Sequence, residues 1–203
     1  RVIKAIMVTS NKERREMNTN TTNELNTTDF LKDFDGIIHV ADITLDDEVY
    51  VTGKKIGTQK RQTEIKFDNV IPLEHWSKRA ESVYLISIGG KVVKIGGTHA
   101  GLKSRCGSYL AGTERARKKG TCATTNYIVY QAILEALKEG LSVKMYAYEL
   151  PAAIVSVNIF GTELPVKAQV FQHYETVLLE AYKTKNGSYP ILSRNAGQNS
   201  GRK

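Results

Sequence analysis

Residues 83–98 read VYLISIGGKVVKIGGT. Two apolar, β-branched runs flank Gly89-Gly90, and a second Gly-Gly closes the stretch. Such runs around a Gly-Gly pair predict a β-hairpin. Tyr84 lies in the first run and Lys94 in the second. A two-residue turn at Gly89-Gly90 sets Tyr84 opposite Ile95 and sends Lys94 to the other face. An odd loop, such as Ile88-Gly89-Gly90 with one left-handed glycine, sets the two polar residues on one face instead. The register therefore decides whether Tyr84 and Lys94 form a reactive pair or plain sheet surface.

The segments around the hairpin complete a pattern. AGLKSRCGSYLAG (100–112) spaces Leu102, Cys106, Tyr109 and Leu110 as the apolar side of a short helix. TERARKKGT (113–121) reads as a basic loop. NYIVYQAILEALKEG (126–140) and QVFQHYETVLLEAYKTKNG (169–187) predict strong helices, each stopped by glycine. LSVKMYAYEL (141–150) alternates like a strand and ends at Pro151, with a loop after it. The order from residue 83 is β-β-α-α-β-α and a tail, a small mixed α/β (α+β) domain. Upstream, IIHVADITL, EVYVTG and TEIKFDNV predict short strands, with a turn at Asp46-Asp47 and a basic loop, KKIGTQKRQ, between them. NTNTTNELNTTD (18–29) reads as a polar linker ending in a helix cap. IPLEHW brings the only tryptophan, Trp76, against the following domain. These features divide the chain into an N-terminal extension, 1–80, and a core, 81–203.

Composition narrows the class. The chain has 203 residues, 41% hydrophobic, enough for one full core. No apolar run reaches the roughly 20 residues of a membrane span, and the opening does not read as a signal peptide. Cys106 and Cys122 form no CxxC pair, so they point neither to zinc nor to a disulfide framework and favour a reducing, cytoplasmic setting. Net charge is +8. Residues 1–80 carry 13 basic and 13 acidic side chains, and residues 81–203 carry 16 and 8. The whole excess lies in the core, which favours a polyanion partner.

P-loop, GxSxG and HExxH motifs are absent from the sequence. GGTHAG lacks the GxGxxG spacing, although backbone near a helix start can approach a phosphate. The ordered set Val83-Tyr84-Leu85, Lys94-Ile95-Gly96, Leu102 with Arg105 three residues later, Glu175 on the last helix and Asn195 in the tail resembles the GIY-YIG nuclease superfamily over residues 82–197. Lys94 stands where most of the family has tyrosine, as in a type II restriction endonuclease branch of the family. Leu85 follows Tyr84, and the first motif lacks its glycine. The resemblance implies a short antiparallel sheet flanked by helices and a bacterial or phage-encoded enzyme.

It also implies phosphodiester hydrolysis, which needs an attacking water, a base, and charge neutralisation on phosphate and leaving oxygen. Tyr84 and Lys94 are then the candidates for proton transfer. A cation favours a phenolate, and a desolvated lysine can lose its own proton. Arg105 can fork onto a phosphate. Glu175 takes the metal-binding role, with Glu180 as a rival on the same helix; Mg²⁺ suits such a site, and Mn²⁺ can substitute. His99 and Asn195 complete the implied catalytic set. Tyr109 and His173 read as packing or surface residues. Lys54, Lys55, Lys60, Arg61, Lys103, Arg115, Arg117, Lys118 and Lys119 are the expected duplex contacts. The implied activity is a Mg²⁺-dependent, sequence-specific double-stranded DNA endonuclease of a restriction-modification kind. It would leave 5′-phosphate and 3′-hydroxyl ends, acting as a homodimer or by sequential nicking. The alternatives are a phage-type or host-DNA-degrading endonuclease, and a non-cleaving nucleic-acid-binding module.

Overall fold

A computed structural model describes residues 26–46, 50–51, 60–61 and 63–193, the two short pairs by backbone alone. Its frame is a five-stranded antiparallel sheet built from β1 (Ile38–Leu45), β4 (Ile65–Asn69), β5 (Ser82–Ile88), β6 (Lys91–Thr98) and β7 (Val143–Glu149). The spatial order is β4-β1-β7-β5-β6. β2 (Tyr50–Val51) and β3 (Lys60–Arg61) form a separate two-stranded ladder. β5 is buried along its whole length, which is why SVYLISI reads as an apolar run without alternation.

Helices cover both faces. One face packs α3 (Leu102–Leu110) and α5 (Thr124–Lys138) through Leu102, Cys106, Tyr109, Val129 and Ile133. The other packs α1 (Thr27–Leu31) and α6 (Phe171–Asn186) through Phe30, Leu178 and Leu179. Asn26 caps α1, its side chain accepting the Thr28 N–H at 3.2 Å. α2 (Leu73–Ser77) carries Trp76 into the first cluster. Gly187, at φ +73°, closes α6 as its sequence indicates. Among the described residues no helix is long and apolar enough to cross a membrane.

Several expectations change. β1 and β4, from the N-terminal segment, lie in the same sheet as the hairpin, and Val40, Ile43 and Ile65 share a core with Tyr84 and Met145. The basic stretch 113–121 is partly helical: Thr113 caps α4 (Glu114–Lys118) by accepting the Ala116 N–H. The segment after Pro151 is a second hairpin rather than a loop, with β8 (Ala153–Ile159) paired to β9 (Thr162–Ala168). VSVNI (155–159) does alternate apolar and polar residues, a strand signal that the reading as a loop passed over.

The decisive hairpin uses neither simple register. Gly89 and Gly90 have φ of +57° and +81°, as a two-residue type I′ turn requires, and Ile88 pairs with Lys91. A bulge then intervenes between Ile86 and Ser87, leaving Val93 as the extra residue opposite them. Beyond it Ile86 pairs with Lys94 and Tyr84 with Gly96. An even turn plus one bulge thus sets Tyr84 and Lys94 on one face, as offset neighbours on adjacent strands.

Candidate functional site

Tyr84 lies directly opposite Gly96, and its phenol extends across the strand over that glycine. A Cβ at Gly96 would stand 2.4 Å from Tyr84 Oη. Only glycine permits this crossing. α3 supplies the next two groups from one helical face, four residues apart. Arg105 Nε donates to Tyr84 Oη at 2.7 Å, and its Nη2 donates to Tyr109 Oη at 3.1 Å. The two phenol oxygens are 2.8 Å apart. The guanidinium also lies 4.4 Å from the centroid of the Tyr109 ring. Tyr84, Arg105 and Tyr109 therefore form a closed triangle, and Tyr109, expected as a packing residue, is buried in the core and also bonds the guanidinium. Its signal in the sequence was a hydroxyl on the buried side of α3, where a buried phenol needs a partner.

Burial pushes the Tyr84 phenol well above its usual range; nearby Tyr109 adds to this and Arg105 opposes it. Tyr109 is raised by burial as well. Both stay protonated at neutral pH. For Arg105, burial opposes the charge, but the two phenols more than offset it, and the guanidinium stays charged.

Lys94 is buried on the same sheet face. Desolvation lowers its pKa; Glu175 works in the opposite sense, and Arg105 lowers it further. Glu175 reaches the site around the edge of the sheet. β6 is an edge strand, and its outward backbone groups are occupied in turn. Val93 C=O accepts Leu192 N–H at 2.9 Å. Ile95 N–H donates to Ser193 Oγ at 3.0 Å, and Gly97 N–H bonds the Glu175 carboxylate. The half-buried Glu175 carboxyl is raised by desolvation, against the lowering effects of Lys94, Gly97 and Arg105.

α6 is held in place by a residue that sequence reading passed over. Val170 gives the helix no side-chain cap. Instead Glu81, buried one residue before β5, accepts the N–H groups of Val170 at 2.8 Å and Phe171 at 3.0 Å. Its backbone carbonyl accepts Leu150 N–H at 2.8 Å. An uncapped helix start and an acid beside a core strand were the available signals. Sequence could not join them, because they stand 89 positions apart.

Other candidates fall outside this cluster. Glu180 accepts a hydrogen bond from Tyr189, so the rival acid serves the helix exterior. His99 is exposed at the turn after β6, its ring 5.9 Å from that of Phe171. His173 is exposed. Lys103, Arg115, Arg117, Lys118 and Lys119 are exposed on or beside α3 and α4. Lys60 and Arg61 form β3; Lys54, Lys55 and Asn195 lie outside the described residues. Among the described residues no group of three or more His, Cys, Asp or Glu converges as a metal cage.

No protein-family model matches the chain, and no curated protein matches it. Among solved structures, restriction endonuclease HPY188I in complex with product DNA superposes with a TM-score of 0.52. The two are 23% identical, over 87% of this chain and 96% of that one. A bacteriophage T4 EndoII mutant gives a TM-score of 0.48 at 18% identity, over 77% of this chain and 94% of that one. At 23% identity the likeness to the restriction endonuclease is one of fold.

Proposed function

We propose that this chain is a Mg²⁺-dependent endonuclease of the GIY-YIG kind that hydrolyses phosphodiester bonds of double-stranded DNA at a specific sequence, in the manner of a type II restriction enzyme. One observation carries the reading: Tyr84, Lys94, Arg105, Tyr109 and Glu175, drawn from two strands and two helices, gather around the β5–β6 edge. A fold shared with a restriction endonuclease, and a basic excess confined to residues 81–203, support it.

Each group has a distinct task. The two phenols use Arg105 Nε and one Nη2 hydrogen, which leaves the rest of the five-donor fork for a phosphate oxygen. Of the two proton carriers, Lys94 is the one whose surroundings shift it toward neutral pH, and Tyr84 is shifted away. Lys94 therefore accepts the proton of the attacking water. Tyr84 and Tyr109 hold the guanidinium and keep hydroxyl protons for the phosphate. Glu175 is a single half-buried carboxylate beside a backbone N–H. Such a donor suits Mg²⁺, which takes few protein ligands and keeps several waters. When bound, Mg²⁺ would neutralise charge on the leaving 3′ oxygen. Residues 1–80 and the exposed cations of α3 and α4 would position the duplex.

Incubation of plasmid with the protein and Mg²⁺, beside Glu175→Gln, tests the reading. Discrete fragments with 5′-phosphate ends, lost in the variant while DNA binding persists, are the expected result. A smear would select the degrading alternative. Binding without cleavage at every metal and salt condition would leave only the non-cleaving module.

A further inference from the structure

A cavity of about 420 Å³ lies on the sheet face that carries Tyr84. Ser82 on β5, Ala147 on β7 and Val40 on β1 floor it, and His75 on α2 and Leu102 on α3 wall it. It adjoins the catalytic cluster through two shared elements. Ser82 and Tyr84 stand on one face of β5, two residues or about 7 Å apart. Leu102 and Arg105 stand three residues apart on one side of α3. Lys78 also lines the cavity, and its backbone is pinned to that helix: a Cβ at Gly101 would lie 2.2 Å from the Lys78 carbonyl oxygen.

The lining is mostly hydrocarbon, from Ile38, Val40, Ile71 and Leu102. Ser82 is the polar exception at the floor. It is only 2% exposed, and its hydroxyl bonds no other group among the described residues. A buried hydroxyl in that state calls for a partner from outside the chain. At the rim Lys78 pairs with Glu149, which stands opposite Ser82 on β7. His75, 57% exposed, offers an aromatic ring on the wall.

With Arg105 on the scissile phosphate, as the nuclease reading has it, we infer that this cavity receives one nucleobase extruded from the duplex beside that phosphate. The lining selects such an occupant. A base has two apolar faces and a polar edge, so its faces meet hydrocarbon and the His75 ring while its edge meets Ser82 and Glu149. A purely aliphatic ligand would leave the Ser82 hydroxyl unbonded, and a sugar phosphate would set charge against hydrocarbon. Lys78 at the rim suits the phosphate of the extruded nucleotide. The position fits as well, since a nucleotide swung out of the stack stays tied to the strand that Arg105 holds. Pockets for small ligands begin at roughly 300 Å³, so the volume holds a base with part of its sugar.

Binding of the full chain to short duplexes at low salt tests this, with a chelator present so that nothing is cut. The probes are a fully paired duplex and the same duplex carrying one unpaired 5-iodouracil. The native chain should bind the second about 10–100-fold more tightly, because its base is already unpaired. Irradiation should join the iodouracil to the peptide that carries His75. Ala80→Trp, which fills the cavity from its wall, should abolish both effects and leave the paired duplex bound as before. Ser82→Ala should lose most of the preference. Equal native affinity for the two duplexes overturns the inference, as does a preference that Ala80→Trp and Ser82→Ala both keep, or a cross-link elsewhere. Free deoxynucleoside monophosphates that displace the bulged duplex as well as unlabelled duplex does would make the cavity a mononucleotide site, and they overturn extrusion too. Binding, not cleavage, is the readout. A chain that cuts DNA without the preference removes the pocket alone, whereas a chain that binds neither duplex removes the nuclease reading with it.

Discussion

Gly96→Ala replaces a hydrogen by a methyl group, a net gain of one carbon and two hydrogens, at the tightest point of the site. The new Cβ would lie 2.4 Å from Tyr84 Oη and 2.6 Å from its Cζ, where ordinary contact begins near 3.4 Å. The phenol must therefore retreat by about 1 Å. It is fully buried, so no empty side receives it. Its bonds to Arg105 at 2.7 Å and Tyr109 at 2.8 Å would stretch toward ~3.7 Å, past the range of a hydrogen bond. Overpacking costs about 1–3 kcal/mol, and loss of a bond to a charged donor about 1.5–3 kcal/mol. These terms overlap, so the expected loss is about 2–5 kcal/mol in urea denaturation. A 1 Å displacement within a catalytic constellation costs about 10²-fold in rate, to be read from plasmid cleavage under conditions where the variant is folded. Gly107→Ala is the control. Gly107 is exposed within α3, and its Cβ would meet nothing within 4 Å. Its replacement should stabilise by about 0.5–1 kcal/mol and leave cleavage unchanged. If Gly96→Ala matched the native protein in both stability and rate, the phenol would not lie over the glycine, and the triangle would be wrong.

Lys94→Met should lower cleavage by about 10²–10⁴-fold and remove the rise in rate with pH. The sign for stability follows from its lowered pKa: between that value and 10.5 the unfolded chain holds more protons, so stability rises with pH. Its contribution is complete above 10.5 and is lost as pH falls through the folded pKa, and denaturation at several alkaline pH values should show the slope vanish in the variant. Tyr109→Phe removes a hydroxyl that contacts both Arg105 and Tyr84 and should cost about 1–3 kcal/mol in the same assay; a smaller change than 0.5 kcal/mol would deny it a place in the triangle. Glu81→Ala should cost about 1–2 kcal/mol through the lost α6 cap and raise the Mg²⁺ concentration for half-maximal cleavage, while Glu81→Gln keeps most of both.

Local pattern was enough to place the principal helices and the decisive hairpin. Periodicity, glycine stops and β-branched runs act over a few residues, and each leaves its mark in the order of side chains. That order also carried Tyr84, Lys94, Arg105 and Glu175, since their types and sequence are readable one at a time. Distance across the chain was not readable. The β8–β9 hairpin escaped although VSVNI (155–159) alternates, because Pro165 in its second strand argues against a paired run. The bonds of Tyr109 to Arg105 and Tyr84 escaped because an apolar helix face already accounts for a buried tyrosine. Glu81 caps a helix 89 residues away, a partnership only folding can create.

The chain by itself determined which groups are present and which element carries each. The tertiary structure decided what they are. Tyr84 and Lys94 share a face because a bulge at Val93 shifts the register by one residue, and one residue is the whole difference between two faces of a sheet. Their proton affinities move in opposite senses because burial penalises whichever form is charged, the phenolate in one and the ammonium in the other. That penalty depends on the surrounding volume, and only the folded chain supplies it.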